Sequence, residues 1–345
     1  MDKKLTILTI GDPHFKVSNV QDSNQMTLAL LKLATELKPT LIVVLGDVLD
    51  RHETIHVTPL TQACKMLKQL AEIAETYVLI GNHDRPNNSD FLSDQHPFTA
   101  LKGWPNMTIV DKAIDASCIY HGQTLTFVPY VPPGRFLEAL NSNGTAWKQS
   151  MVIFAHQEFK GAQMGAIKST EGDEWPLDYP YVISGHIHDF HQLQTNVLYT
   201  GTPMQHAFGD RDDKTVTLVT IDGEVSHRQI SLGLPKRFIV HLKPSQIELY
   251  EPPTGCMIKI VVDGTMAELK TVAKLDRIKQ LIKLGIKIVY KETAETLSQS
   301  IVKNDVSFAN TLYSVTKDDP DLSALVKELF GDLKPKSSLK MVIQE

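Results

Sequence analysis

The chain has 345 residues, 35 Lys and Arg against 40 Asp and Glu, a net charge of −5 and 42% hydrophobic residues. This is the composition of an ordinary globular protein, and it excludes disordered, collagen-like and cysteine-stapled classes. The length exceeds what one core usually fills, so a main domain of about 200 residues or more and a smaller second part are expected.

In chain order, Leu5–Ile10 reads as a strand that empties into Gly11-Asp12-Pro13-His14. Apolar residues at helical spacing predict a helix over Gln25–Leu37, stopping before Lys38-Pro39. The stretch Leu41–Asp50 opens on five consecutive large apolar residues and then Gly46-Asp47. A β-branched-rich run bounded by a breaker is a strand buried on both faces. Asp47 thus stands at a strand's carboxyl end, where open α/β sheets bind ligands. Leu60–Ala74 is expected to be helical, and Tyr77–Ile80 is a third strand, ending in Gly81-Asn82-His83-Asp84. Strand, glycine turn and helix in succession argue for a βαβαβ core.

Beyond Asn87 the pattern turns strand-rich. Strands are expected at Met107–Val110, Ser117–Tyr120, Thr124–Val128, Met151–Ala155 (ending in His156) and Tyr181–Ser184 (ending in Gly185-His186-Ile187-His188). Lys160–Asp178 has no period and reads as a surface loop, placed to wall a substrate. Val197–Thr200, Thr215–Thr220 and Val225–Ile230 follow, the last two joined by the hairpin signal Asp222-Gly223. After Leu234-Pro235 the composition shifts. Phe238–Leu242, Met257–Val262 and Lys287–Tyr290 read as strands and Ala267–Leu284 as a helix. From Ala294 come short amphipathic helices whose Leu322, Leu325, Val326, Leu329 and Phe330 need a partner surface, either their own domain or another protein.

Charge is uneven, with 18 basic and 26 acidic side chains in residues 1–235 and 17 and 14 in 236–345. An acidic part with Asp and His in strand-end turns suits multivalent cations. Three separated cysteines, Cys64, Cys118 and Cys256, fit a reducing compartment and exclude a thiolate zinc site. No run approaches the roughly 20 apolar residues of a membrane span.

The strand ends together hold Asp12 and His14; Asp47 and Asp50; Asn82, His83 and Asp84; His156; and His186 and His188. Residues two apart on an extended chain point to the same side, so Asp12 with His14, and His186 with His188, are each expected to grip one ion. Carboxylates, imidazoles and an Asn carbonyl suit two divalent ions, with manganese, iron or zinc as candidates.

These five segments resemble the five signatures of the calcineurin-like metallophosphoesterase superfamily, over nearly all of residues 5–235. Within it the chain is most similar to the SbcD family of DNA nucleases, which includes the recombination nuclease subunit of T-even phages. Tyr199-Thr200-Gly201-Thr202-Pro203 with Phe208-Gly209-Asp210 resembles that family's strand and loop after the last histidines. The resemblance implies an α/β fold: a four-layer metallophosphoesterase sandwich, two mixed β-sheets flanked by helices, over residues 1–235. A small α/β cap over 236–293 and a helical tail over 294–345 complete the implied layout.

It further implies that Asp12, His14, Asp47 and His188 hold one ion and Asp47, Asn82, His156 and His186 the other, with manganese foremost and magnesium, iron or zinc as alternatives. Two ions about 3.5–4 Å apart acidify a shared water and clamp a phosphate's oxygens. His83 would stabilise developing charge or protonate the leaving 3′ oxygen, with Asp84 orienting its imidazole. Asp50 stands where eukaryotic and archaeal members carry histidine, and its role stays open. Asp50-Arg51 also resembles the protein serine/threonine phosphatases, although His52 follows where their motif has glycine. Asp50, Arg51, His191 and His206 are the candidates for substrate contact, while His52 and His56 read as surface or supporting groups.

The implied activity is a manganese-dependent DNA nuclease, 3′ to 5′ on duplex ends and endonucleolytic on single strands, in recombination, repair and replication. No Gly-x4-Gly-Lys-Ser/Thr loop occurs, and the family's solution is a separate SMC-like ATPase of the SbcC type. The tail from Ala294 is the candidate docking segment, and a homodimer through the helix near Leu60–Ala74 is implied as well. The expected location is the cytoplasm, or the host's cytoplasm for a virus. The alternatives are a phosphatase or small-substrate phosphodiesterase on the same scaffold, or a non-catalytic scaffold.

Overall fold

The computed structural model describes residues 4–120, 123–165 and 167–293, together with positions 316, 320, 322, 324 and 325. The expected tail otherwise lies outside the described residues. Strand β1 (Leu5–Ile10) leads to helix α1 (Val20–Leu37), which starts at Val20 rather than Gln25. Asn19 stands just before the helix: its side-chain amide donates to the His14 carbonyl at 2.9 Å and accepts from Lys16 N at 3.0 Å and Ser23 Oγ at 2.9 Å. The same side chain, which caps no helix N–H, ties the first turn of the helix to the turn that carries His14.

Next come β2 (Leu41–Val44), α2 (Val57–Ile73), β3 (Glu75–Leu79), β4 (Met107–Val110), β5 (Ile114–Tyr120) and β6 (Gln123–Val128). A short helix α3 (Phe136–Asn141), absent from the sequence reading, buries Phe136, Ala139 and Leu140. It precedes β7 (Ser150–Ala155). The expected loop Lys160–Asp178 contains a small hairpin, β8 (Gln163–Met164) with β9 (Ile167–Lys168). Its pattern was invisible because all four strand residues are at least partly exposed, so no apolar alternation marks them. There follow β10 (Tyr181–Ser184), β11 (His191–Gln194), β12 (Val197–Tyr199), β13 (Val216–Asp222) and β14 (Glu224–Ile230).

One sheet has the order β14-β13-β1-β2-β3-β4 and the other β11-β12-β10-β7-β6-β5. In each, four adjacent strands run parallel; antiparallel pairing adds β13 and β14 at one edge of the first sheet and β5 and β11 at the two edges of the second. Alternation sorts the side chains. Ile7, Leu41, Val43 and Leu79 meet Leu125, Phe127, Val152, Phe154 and Ile183 between the sheets. Leu8, Ile42, Val44 and Val78 face Met26, Leu30, Met66, Leu67 and Leu70 of the helices. Val128, Ile153 and Val182 cover the other outer face with α3, Trp147 and Trp175. Helix, sheet, sheet and helix are thus the four layers of an α/β sandwich, and burial on both faces is why the central strands read as unbroken apolar runs.

The remaining elements are β15 (Lys236–Leu242), β16 (Cys256–Gly264), α4 (Met266–Val272), α5 (Asp276–Lys283) and β17 (Lys287–Glu292), with the three strands parallel. The one helix expected over Ala267–Leu284 is two. Leu275 is extended (ψ 140°), and the break turns Leu269 and Val272, then Ile278 and Leu281, onto the same cluster as Ile258, Ile260 and Val262. Gln205 ties this small α/β part to the main sheets, accepting from Arg237 N at 2.6 Å and donating to the Arg237 carbonyl at 3.1 Å.

Candidate metal centre

Because the central strands of both sheets run parallel, the turns after β1, β2, β3, β7 and β10 gather at one rim. Three of the described non-glycine residues with positive φ stand there: His14 (46°), Asp47 (45°) and His186 (77°). Such conformations cost about 1–3 kcal/mol each and persist where surrounding structure enforces them. Glycine supplies the room: a Cβ on Gly81 would lie 2.2 Å from Asp47 Oδ1, and one on Gly46 (φ 106°) would lie 2.6 Å from His156 Nδ1. The two turns interlock through backbone bonds from His14 N to Asp47 O at 3.0 Å and Phe15 N to Val48 O at 2.8 Å.

Two ligand groups result, Asp12 with His14 and His188, and Asp47 with His156 and His186. His186 and His188 therefore part company, contrary to the chelating pair expected from their spacing. Alternation holds only for extended strand backbone, and β10 ends at Ser184, before both histidines. Asp47 stands between the groups, its Oδ2 3.8 Å from His14 Nε2 and 3.4 Å from His156 Nε2. Asn82 Oδ1 lies 3.1 Å from His156 Nε2 and 3.0 Å from His186 Nδ1.

The donors fit divalent cations. His14 Nε2 and His188 Nε2 converge to 3.0 Å, and His188 Nε2 is 4.0 Å from Asp12 Oδ2. His156 donates through Nδ1 to the Leu45 carbonyl at 2.7 Å, which leaves Nε2 as the free donor atom facing Asp47 and Asn82. Burial alone would raise Asp47, yet the imidazoles around it, His156 foremost, hold its carboxyl well below the usual range. Burial would lower His156, but Asp47 and Asp12 push it up to about 9. Burial raises Asp12, with Asp47 adding to it and His156 opposing. Burial also lowers His14 well below its usual value. Hard oxygens and imidazoles without sulfur suit manganese, magnesium, iron or zinc. Bound cations would supply Lewis acidity for a water and charge neutralisation for a phosphate.

His83 stands at the mouth. Its amide donates to Asp47 Oδ1 at 2.8 Å, and its ring Nδ1 donates to the Asp50 carbonyl at 2.9 Å. Nε2 is left 4.0 Å from Asp47 Oδ2, and the ring stacks on His52 at 4.8 Å and 14°. With Nδ1 committed, Nε2 is the atom from which His83 can pass a proton or hydrogen-bond to a phosphate oxygen. Asp84 does not orient this ring, which corrects the expected role. Its carboxylate accepts from Val48 N at 3.2 Å, Leu49 N at 2.8 Å and Gly81 N at 3.0 Å. Burial and the Asp47 charge push Asp84 up to about 7. Asp84 thus ties the turn after β2 to the turn after β3, and the Asp50 backbone takes the place behind His83.

Asp50 pairs with Lys16 at 3.0 Å and lies 3.7 Å from His14 Nδ1. Arg51 is exposed and lines a cavity of about 280 Å³ with Lys16, Thr54 and His56. His206 is half-buried beside the first ligand group, its Nε2 donating to the Asp12 carbonyl at 3.0 Å and its ring 5.0 Å from that of His14. Burial, then His188, pushes His206 down to about 3. His191 lies in edge strand β11, stacked against Tyr199 at 6.5 Å, and no described contact joins it to either ligand group. His52, read from the sequence as a surface or supporting group, stacks against His83, and Glu158, which sequence reasoning did not place, lies 3.7 Å from His186 Nε2. The signal for Glu158 was available in the spacing His156-x-Glu158.

Two cation-ligand groups side by side, with Asp47 within 4 Å of imidazoles from both, on the rim of paired sheets, define a metal-dependent hydrolase of phosphate esters. Residues 5–190 match the Calcineurin-like phosphoesterase family, and the chain belongs to it. It is 37% identical over 341 residues to "Putative phosphoesterase 078R" of Invertebrate iridescent virus 3, covering 96% of this chain and 98% of the relative. It is 41% identical over 278 residues to "Putative phosphoesterase 244L" of Invertebrate iridescent virus 6, covering 78% and 97%. No helix among the described residues is long and apolar enough to cross a membrane.

Proposed function

We propose that this phosphoesterase is a DNA nuclease that hydrolyses phosphodiester bonds with two divalent cations, manganese foremost. The observation that carries hydrolysis is Asp47, within 4 Å of imidazoles from both ligand groups, with His83 Nε2 facing the same carboxylate. DNA as the substrate is supported by the resemblance of the Tyr199–Pro203 and Phe208–Asp210 segments to the SbcD nucleases. It is also supported by basic side chains on both sides of the ligand groups. Lys16 and Arg51 border one cavity, and Arg211 and Lys214 line a second of about 330 Å³ with His186 and His188. A strand crossing the rim would meet basic donors before and after the reacting phosphate, with Lys16, Lys214 and Arg211 exchanging their present partners Asp50, Asp189 and Asp213 for phosphate oxygens.

The same proposal includes the partners: an SbcC-type ATPase docked by the tail from Ala294, and a homodimer through α2. The dimer is supported by an apolar depression of about 340 Å³ lined by Leu60, Cys64, Leu101 and Trp104.

The test is Mn²⁺-dependent cleavage of linear duplex DNA, circular single-stranded DNA and a nucleotide monoester, with Asp47→Asn as the control. Cleavage of either DNA that Asp47→Asn abolishes supports the nuclease. Turnover of the monoester alone makes the chain a phosphatase and overturns it.

A further inference from the structure

We propose that Glu158 is a positioning residue for the metal centre, fixing the tautomer of His186 so that Nδ1 is presented to the cation. This rests on the two-cation reading of the site. The two nitrogens of His186 face different neighbours: Nδ1 is 3.0 Å from Asn82 Oδ1, and Nε2 is 3.7 Å from Glu158 Oε2. A neutral imidazole carries one proton, so one nitrogen donates and the other offers a lone pair. Asn82 Oδ1 is a neutral carbonyl oxygen that already faces His156 Nε2 at 3.1 Å. At 3.7 Å Glu158 Oε2 lies beyond direct hydrogen-bond reach, so it acts on Nε2 through its charge, which attracts the N–H dipole more strongly than the neutral Asn82 carbonyl does in this shielded place. The proton therefore belongs on Nε2, toward Glu158. The lone pairs of His186 Nδ1, His156 Nε2 and Asn82 Oδ1 then converge on one place, as a cation requires.

Glu158 is held well enough to act in this way. Its carbonyl accepts from Asp173 N at 2.9 Å, and the next amide, Phe159 N, donates to the Tyr199 hydroxyl at 2.8 Å. Tyr199 is itself buried and donates to the Gln157 carbonyl at 3.1 Å. The pair is largely shielded, with side-chain exposures of 17% for Glu158 and 14% for His186, so water competes weakly for the contact. A carboxylate behind a metal-ligating histidine raises the ligand's basicity and holds its ring. Losing such a partner typically costs about 10- to 100-fold in metal affinity.

Three full-length proteins test this: wild type, Glu158→Ala and Glu158→Gln. In metal-free, ¹⁵N-histidine-labelled protein, with His186→Ala assigning the resonance, wild-type His186 is expected to carry its proton on Nε2 and Glu158→Ala to shift it to Nδ1. By equilibrium dialysis with Mn²⁺, Glu158→Ala is expected to bind one ion about 10- to 100-fold more weakly and the other unchanged. Glu158→Gln, which keeps the shape and loses the charge, is expected to lose about as much as Glu158→Ala. A wild-type proton on Nδ1, equal weakening of both ions, or wild-type affinity in Glu158→Gln overturns the proposal. The last would mean that the shape of the side chain, and not its charge, is what matters there. If wild type binds no Mn²⁺, the two-cation reading fails, and the tautomer measurement still decides the role of Glu158.

Discussion

His83 donates through Nδ1 to the backbone carbonyl of Asp50, 2.9 Å away, while its own backbone amide holds Asp47 Oδ1 at 2.8 Å. Ring and main chain thus have separate tasks, which makes them separable by mutation. In His83→Ala the amide still holds Asp47, so metal stoichiometry by dialysis should match wild type. The rate constant kcat should fall about 10²- to 10⁴-fold, the usual contribution of a positioned proton donor. Loss of metal together with activity would instead make His83 part of the ligand set.

Asp84 should behave as a structural residue. Alanine there orphans three buried amides, of Val48, Leu49 and Gly81, and each carries a penalty of about 1–3 kcal/mol before relaxation. Urea unfolding of Asp84→Ala should show a loss of about 3 kcal/mol, and Asp84→Asn, which keeps one acceptor, a smaller one. Wild-type stability with abolished turnover would restore the catalytic role expected from sequence.

Cation binding should stabilise the fold. Asp12 and Asp47 are buried carboxylates, and a ligand that binds only the native state adds about 2.7 kcal/mol at 100 times its Kd. Chelation should therefore lower Tm, and Mn²⁺ should restore it. In Asp47→Asn the increment should nearly vanish, since Asp47 faces both groups. An Mn²⁺ shift in Asp47→Asn as large as in wild type would argue against a shared ligand.

Acid stability should depend on His96, far from the ligand groups in sequence. Its Nε2 lies 3.2 Å from Asp111 Oδ2, and Lys102 pairs with the same oxygen. Burial holds His96 below its usual 6.5, and the pairing with Lys102 and His96 holds Asp111 below 3.8 despite burial. In both cases the unfolded chain binds the proton first as pH falls, so stability declines on acidification. His96 contributes below about 6.5 and Asp111 below about 3.8. His96→Gln, which keeps a donor near Asp111, should flatten the slope of unfolding free energy between pH 6.5 and 5. An unchanged slope would exclude His96 as its source.

The strands that carry the centre were legible in sequence because their cause is local. Leu5–Ile10, Met107–Val110 and Tyr181–Ser184 have the bounds their apolar runs predicted, and the glycines after β1, β2, β3 and β10 marked where the chain turns at the rim. Weakly patterned elements escaped: α3 is six residues long, and the β8–β9 hairpin buries neither strand. The break at Leu275 was hidden as well, because apolar residues on both sides continue one helical period.

The chain by itself determined which residue types stand at the strand ends and that they can serve as cation ligands. Tertiary structure alone decided how they are grouped. His186 and His188, two apart in sequence, face different groups, while His188 meets His14 and His156 meets Asp47 across more than a hundred residues. It also gave Asp84 to the backbone of its neighbouring turn, set His52 against His83, and brought Glu158 to His186. The physical reason is that burial and turn propensity act on neighbours along the chain, whereas these contacts depend on sheet order and on left-handed turns held by bonds from other strands.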